Sequence, residues 1–142
     1  MRILVLFFIT FISLYGAKIY KNGAFVIDKT NNLLWQDSKA NIIMLGSQEQ
    51  AIEYCTKLTS GGYSSWRLPT KDEYNSIIDK TRKDEIMLNH AFKYVIKEGY
   101  WTSTTRWQNF WRYGYYFFVK SGNLYYENKT YPKFFRCVKE IN

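Results

Sequence analysis

The sequence predicts a single α+β domain in which two main helices pack on an antiparallel β-sheet, and three observations support that class. Two capping-box motifs, near residues 47 and 70, each begin a helical pattern of buried residues. The last third of the chain instead places large apolar residues at the two-residue period of a strand. Aromatic residues make up 20% of the 142-residue chain, which is long enough for one domain with one core.

Residues 1–17 are typical of a secretory signal peptide. Arg2 gives a positive start, the run from Ile3 to Tyr15 is mostly apolar, and Ala17 supplies a small residue at the cleavage point. The run is shorter than the roughly 17–25 residues of a membrane-spanning helix, which favours cleavage over the alternative of an uncleaved anchor. We therefore expect an exported protein, periplasmic or at the cell surface, with no transmembrane segment after cleavage.

The expected mature domain, residues 18–142, contains both cysteines of the chain. Cys55 and Cys137 are an even pair, and an oxidising compartment favours a disulfide between them. Closing the loop between residues 55 and 137 would stabilise the fold by up to roughly 4–5 kcal/mol in the chain-entropy model. The alternatives are a reactive thiol or a pair of metal ligands. Because one His is all the chain offers to complete a soft-metal site, we predict no metal and no cofactor.

The formal net charge is +8, and it stays strongly positive after removal of Arg2. Such a charge suits a polyanionic glycan or an anionic envelope partner, and it also suits solubility alone. Nucleic acid would fit the charge, but export argues against it. The sequence does not predict the oligomeric state.

The first predicted element is a hairpin. Phe25 to Ile27 and Leu33 to Trp35 read as short strands, and residues 28–32 carry turn chemistry.

Two helices follow. The first begins at the capping box from Ser47 to Gln50, and Gly61-Gly62 is predicted to end it. The second begins at the capping box from Thr70 to Glu73. The residues predicted to be buried on the two helices are Ala51, Tyr54, Cys55, Leu58, Tyr74, Ile77 and Ile78. The segment from Met87 to Ile96 is predicted to hold a further short helix.

The remainder is predicted to be strands. Tyr100 to Thr104 is a β-type run, residues 120–123 form a turn, Leu124 to Tyr126 return, and Phe134 to Val138 form the last strand. One face of the longest strand is predicted to be core, and its residues are Trp111, Tyr113, Tyr115, Phe117 and Val119.

Three sequence blocks together resemble the Lcl C-terminal domain family, a domain of unknown function found in bacterial collagen-like adhesins. The blocks are Ile27 to Asp37, Ala51 to Glu73, and Tyr100 to Thr104 with Arg136-Cys137-Val138. Within the second block, Trp66-Arg67-Leu68-Pro69 is the most specific signal. The resemblance covers about residues 24 to 139. Asn32 replaces the usual Gly of the first block, and Asn tolerates a positive φ.

The resemblance implies a C-type-lectin-like fold in which a disulfide joins the first helix to the final strand. It brings no catalytic residues, and it implies secreted or surface domains, some in adhesins that bind sulfated glycans. The calcium-binding runs of C-type lectins do not occur in this sequence. We expect a structural role for the residues that carry the motifs, namely Trp35, Trp66, Arg67, Leu68, Pro69 and Trp101.

The candidate binding residues are Arg106, Trp107, Arg112 and Tyr116. They interleave cations with rings, which stack on sugars and pair with sulfate, phosphate or carboxylate groups. We therefore predict a non-enzymatic binding module for an anionic glycan, an envelope polymer or a protein partner. The alternatives are a periplasmic enzyme of unknown reaction, with His90 as its only histidine, and a structural or inhibitory protein-interaction domain.

Overall fold

The computed structural model describes residues 18–142, so the predicted signal peptide, residues 1–17, lies outside the described residues. The described chain is a mixed α+β structure, mostly sheet, with short helices. Its elements in chain order are β1 (Ile19–Asn22), β2 (Phe25–Asp28), β3 (Leu33–Gln36), α1 (Ala40–Ile43), β4 (Leu45–Gly46), α2 (Gln48–Lys57), α3 (Lys71–Asn75), β5 (Gly99–Gln108), β6 (Trp111–Phe118), β7 (Asn123–Asn128), β8 (Lys133–Phe134) and β9 (Val138–Glu140).

The strands form two sheets. The first has the order β1-β2-β3-β9, and the second has the order β4-β8-β5-β6-β7. Neighbouring strands are antiparallel, except that β5 and β8 are parallel where Tyr100 pairs with Phe134. The first predicted hairpin is confirmed as β2 and β3. Asn32 occupies its turn with a φ of 56°, a conformation that Asn adopts more readily than most residues.

Helix α2 begins where its capping box predicts. Ser47 Oγ accepts from the Gln50 backbone N–H at 3.1 Å, and Gln50 Oε1 accepts from the Ser47 N–H at 2.9 Å. Cys55 lies on the buried face of α2 and is bonded to Cys137, with the two Cα atoms 5.4 Å apart. The predicted disulfide is therefore confirmed, and it joins α2 to the residue before β9.

The glycine pair does not end α2 as predicted, because the helix ends earlier, at Lys57. Gly61 and Gly62 have φ values of 59° and 79°. They turn a small hairpin in which Ser60 and Tyr63 pair through their backbones. The glycines are thus needed for a tight turn after the helix.

The second predicted helix is much shorter than expected, so a second main helix is not confirmed. Thr70 and Glu73 form the predicted capping box, but α3 ends at Asn75. Ser76 Oγ donates to the Glu73 carbonyl at 2.7 Å, and the Ile77 N–H donates to the Tyr74 carbonyl rather than continuing the α-helical pattern. Ile77 is nevertheless 1% exposed, as its place in the predicted stripe requires.

The prediction of a helix in residues 87–96 is wrong, since this segment is irregular. Several of its backbone N–H groups donate to residues far along the chain. Those of Lys93 and Tyr94 donate to the Asp37 carboxylate at 2.9 and 3.0 Å. The Asn89 side chain accepts from the N–H two residues further on, which favours a turn over a helix.

The predicted last strand is split. β8 ends at Phe134 and β9 begins at Val138. Between them Arg136 is 1% exposed and donates to the Gln36 carbonyl at 2.7 Å. The Cys137 N–H donates to the Gln36 side chain at 3.1 Å, so the backbone leaves the ladder to satisfy buried groups.

Helices α2 and α3 cover opposite sides of β6. A Cβ added at Gly114 would lie 2.8 Å from the side chain of Gln48, in the first turn of α2. Phe117 stacks on Tyr74 of α3, with ring centroids 5.3 Å apart. Residues three apart on a strand point to opposite sides, so the two helices enclose the middle of the second sheet. We call these sides the α2 face and the α3 face.

Candidate functional site

The hairpin formed by β5 and β6 extends beyond both covering helices. Residues 105–112, which we call the hairpin tip, are all exposed. Trp107, Phe110 and Trp111 are 64%, 97% and 68% exposed. The tip therefore presents three large rings to solvent on a two-residue turn, Asn109-Phe110.

A β-bulge at the base of the hairpin sets the direction in which the tip extends. Trp101 pairs with Tyr116 and Thr105 pairs with Gly114, so β5 holds two more residues than β6 over the same stretch. A bulge of this kind bends the strand and increases its twist. The bulged residues belong to the Tyr100 to Thr104 block of the family resemblance.

Neighbouring elements satisfy the backbone groups that the bulge withdraws from the ladder. Gln48 Nε2 donates to the carbonyls of Thr102 and Thr104 at 2.8 and 3.1 Å. The Ser103 N–H donates to the Pro69 carbonyl at 2.8 Å. The bulge is thus fixed from one side by α2 and from the other by the Trp-Arg-Leu-Pro segment.

Most of the residues that carry the family motifs belong to the core. Five of them are buried, namely Trp35, Trp66, Leu68, Pro69 and Trp101. Arg67 is half-buried and donates two hydrogen bonds to Glu73, at 2.6 and 2.7 Å, and two to Glu140, at 3.1 and 2.5 Å. This ion-pair network connects α3 to β9.

The structure divides the four predicted binding residues between the two faces. Trp107 and Arg112 are paired across the strands on the α2 face, with the guanidinium carbon 5.2 Å from the ring centroid. Tyr116 lies on the same face, half-buried at the base. Arg106 is on the α3 face, where its guanidinium carbon lies 4.4 Å from the ring of Tyr126.

The arginines of the hairpin tip differ from the others that the structure describes. Arg67, Arg82 and Arg136 each bind a carboxylate. Within residues 18–142, no carboxylate lies within 4.0 Å of the side-chain nitrogens of Arg106 or Arg112. Both arginines are exposed and rest on exposed rings, so their hydrogen-bond donors are available to an anionic partner.

A groove lies beside the tip because β7 ends at Asn128 while β6 continues to Trp111. The end of β6 that has no partner in β7 forms one wall, and the chain leaving β7 forms the other. The groove has a volume of about 490 Å³ and is lined by Trp111, Arg112, Tyr113, Asn128, Lys129 and Thr130. Rings, cations and amide or hydroxyl groups meet there, and this is the chemistry that binds a sulfated or carboxylated sugar.

Two rings of the tip were not predicted as binding residues. The prediction that Trp111 is core is wrong, because it lies beyond the cover of α3, whereas Phe117 and Val119 on the same face are buried as predicted. Phe110 was not singled out at all. Asn109 between two aromatic stretches was the available signal, because Asn is a common residue of hairpin turns.

A second concave surface contains carboxylates but offers little for catalysis. Glu73 and Glu140 line a cleft of about 620 Å³ together with Arg67. Burial raises the pKa of Glu73, yet Arg67 and the Thr70 N–H outweigh burial and hold it below the usual value. The hydrogen bond from Arg67 also lowers the pKa of Glu140. Both carboxylates are therefore ionised and paired, and the exposed His90 lies outside this cleft.

Comparison with known proteins gives one match. A family model described as the Lcl C-terminal domain matches residues 24–139, which include the disulfide, the bulge and the hairpin tip. Neither the curated proteins nor the solved structures contain a significant match. Among the helices described here, none has the length and apolar character needed to cross a membrane.

Proposed function

The chain belongs to the Lcl C-terminal domain family, and from that premise we propose that it is an exported, non-enzymatic module that binds an anionic glycan or envelope polymer. The family itself is a domain of unknown function, so the proposal depends on the hairpin. Arg106 and Arg112 are the observation that carries it, because they alone among the described arginines have no carboxylate partner. Lys129 adds a third cation beside Arg112 in the groove.

Export and a C-type-lectin-like fold are parts of the same proposal. A disulfide is the expected state of paired cysteines outside the cytoplasm. The bond between Cys55 in α2 and Cys137 before β9 agrees with the connection that the family resemblance implies for that fold. An exported module with a strongly positive charge would meet anionic polymers at the cell envelope.

The test is the paired substitution Arg106→Gln with Arg112→Gln. The probe is heparin, as a column matrix and as a soluble chain, and the protein is purified as the host exports it, with its disulfide intact. We expect wild type to be retained and to elute earlier as salt screens the charges. Each lost charge-assisted bond weakens binding by about tenfold or more, so the variant should leave the column at distinctly lower salt.

A control with the same loss of charge is Lys39→Gln with Lys83→Gln. Both lysines are exposed, and neither forms an ion pair with another described residue. We expect this control to elute close to wild type. Equal shifts for the two variants would show that net charge alone retains the protein, and elution of wild type in the low-salt wash would reject the polyanion proposal.

A protein partner is the second candidate, and the exposed rings of Trp107, Phe110 and Trp111 favour it. Salt distinguishes the two candidates. Apolar contacts persist when salt screens charges, whereas polyanion binding weakens. A complex with a purified envelope protein that forms through the rings should survive high salt. It should also survive Arg106→Gln with Arg112→Gln, because that variant retains the rings. Loss of a salt-resistant complex in that variant would contradict binding through the rings.

A further inference from the structure

We propose that the hairpin tip inserts its aromatic rings into the headgroup layer of an anionic phospholipid bilayer. The proposed function assigns an anionic ligand to the arginines and the groove. This inference goes beyond it, because it concerns the apolar end of the hairpin and a partner with an apolar layer beneath its charges.

Phe110 lies at the end of the hairpin in a strained backbone conformation. Its φ is 65°, and a positive φ is a genuine outlier for a bulky residue, while Asn109 before it has a φ of 50°. A two-residue turn with both φ values positive favours Asn-Gly, so glycine would be less strained than phenylalanine here. The ring is 97% exposed, so packing does not offset the strain. Folding gives no reason for this residue, and strain of this kind is found at functional sites.

Two exposed tryptophans lie beside the turn that holds Phe110. Trp107 and Trp111 flank the turn and stand on opposite faces of the hairpin, since Trp107 pairs with Arg112 and Trp111 with Gln108. Tryptophan is enriched at the interface between water and lipid. A narrow hairpin with a phenylalanine at its end and a tryptophan on each side thus presents apolar surface in every direction around its tip.

The charge of the hairpin favours an anionic bilayer over a neutral one. Residues 99–126 contain no Asp or Glu. Arg106 lies one residue behind Trp107 toward the domain, and Arg112 lies level with Trp107 and one residue behind Trp111. Their guanidinium groups would therefore reach phosphates while the rings of Phe110 and Trp111 lie deeper. Cations behind an apolar end are the arrangement of side chains that anchor a protein in the interface without spanning it.

The test uses vesicles of phosphatidylglycerol and phosphatidylcholine in equal parts, with pure phosphatidylcholine vesicles for comparison. We expect wild type to sediment with the anionic vesicles and to remain in solution with the neutral ones. Lipids brominated within their acyl chains should quench tryptophan fluorescence. The described tryptophans other than Trp107 and Trp111 are buried, so the quenching reports on the hairpin tip.

Phe110→Gly is the decisive variant because we expect it to fold at least as stably as wild type. It removes the strained φ and a side chain that packs on little, so its urea midpoint should be equal to or above that of wild type. Its partition onto the anionic vesicles should fall by about tenfold or more. Ile43→Ser is the control, since Ile43 is 68% exposed but lies far along the chain in α1, and it should bind as wild type does.

The outcomes separate the inference from the proposed function. Binding without quenching, or equal binding by Phe110→Gly and wild type, would show adsorption by charge alone and would overturn insertion while leaving polyanion binding intact. Retention on heparin without vesicle binding would also overturn insertion and leave polyanion binding intact. Self-association that Phe110→Gly abolishes would identify a second copy of the chain as the occupant and would also overturn the inference. Vesicle insertion without heparin retention would instead reject the proposed function alone.

Discussion

Replacing Asp37 by Asn would test the buried ion pair that connects the last segment of the chain to the first sheet. Asp37 is fully buried and Arg136 is 1% exposed, with Arg136 Nη1 3.3 Å from Asp37 Oδ1. The same carboxylate pairs with Lys21 and accepts the backbone N–H groups of Lys93 and Tyr94. Asparagine has one acceptor oxygen, so its amide would face a donor and would leave Arg136 without a buried counter-charge.

The expected cost is about 3–5 kcal/mol of unfolding free energy at pH 7, the usual result of removing one partner of a buried pair. Burial alone would raise the pKa of Asp37, but Arg136, Lys21 and the two backbone donors hold it below the usual value. A lowered carboxyl pKa stabilises the fold above the unfolded-state pKa of about 3.9, and this stabilisation is lost as pH falls through the folded-state pKa. The gap between wild type and Asp37→Asn should therefore be constant down to about pH 5 and narrow below about pH 4.

Urea denaturation of the oxidised proteins, followed by fluorescence at several pH values, measures the gap. Glu53→Gln is the control, since Glu53 and Lys57 form an ion pair whose side chains are 61% and 73% exposed. We expect no measurable change in its midpoint. A loss below 1 kcal/mol for Asp37→Asn, or a gap that widens in acid, would refute the assignment of a structural ion pair.

Two further predictions concern the core and a turn. Tyr74→Phe should leave stability unchanged or raise it by up to about 1 kcal/mol, because the buried Tyr74 hydroxyl makes no hydrogen bond with any described residue; a clear loss in urea denaturation would mean that the hydroxyl has a partner. Gly61→Ala should lose at least roughly 1–2 kcal/mol of unfolding free energy, since its Cβ would lie 2.5 Å from the ring of Phe25. Gly23→Ala is the control and should lose less, because Gly23 has a similar φ but free space around its Cβ position. Equal losses in the two variants would contradict the steric account.

Local chemistry in the sequence predicted the elements whose hydrogen bonds are local. The two capping boxes place the starts of α2 and α3 correctly, because each satisfies backbone groups within one turn. Two-residue alternation likewise predicted β6. The length of α3 and the irregular path of residues 87–96 escaped prediction because tertiary partners decide them. Asp37, far along the chain, takes the N–H groups that a helix there would use.

The candidate site was predicted in part, for a related reason. Arg106, Trp107 and Arg112 were singled out because cations beside rings are hard to explain as core. Trp111 was assigned to the core because alternation shows which residues share a face, but not where the layer covering that face ends. Helix α3 covers this face of β6, and it is short because it ends at Asn75. Its ring contacts with β6 are at Phe117 and Tyr115, so Trp111 lies beyond the covered part of the strand.

The division between base and tip gives the hairpin freedom to vary. The bulge is fixed by Gln48, by Pro69 and by the buried Trp101, whose Nε1 donates to the Gly46 carbonyl at 2.8 Å. The side chains of the tip are exposed, and the tip is held by the ladder between β5 and β6, by the turn at Asn109-Phe110 and by the contacts of its two arginines with rings. A substitution in the tip should therefore cost the fold little, since surface changes away from buried partners have small effects on stability. Under the proposed function, binding would depend on the tip and folding on the base, so variants of one hairpin can test the two separately.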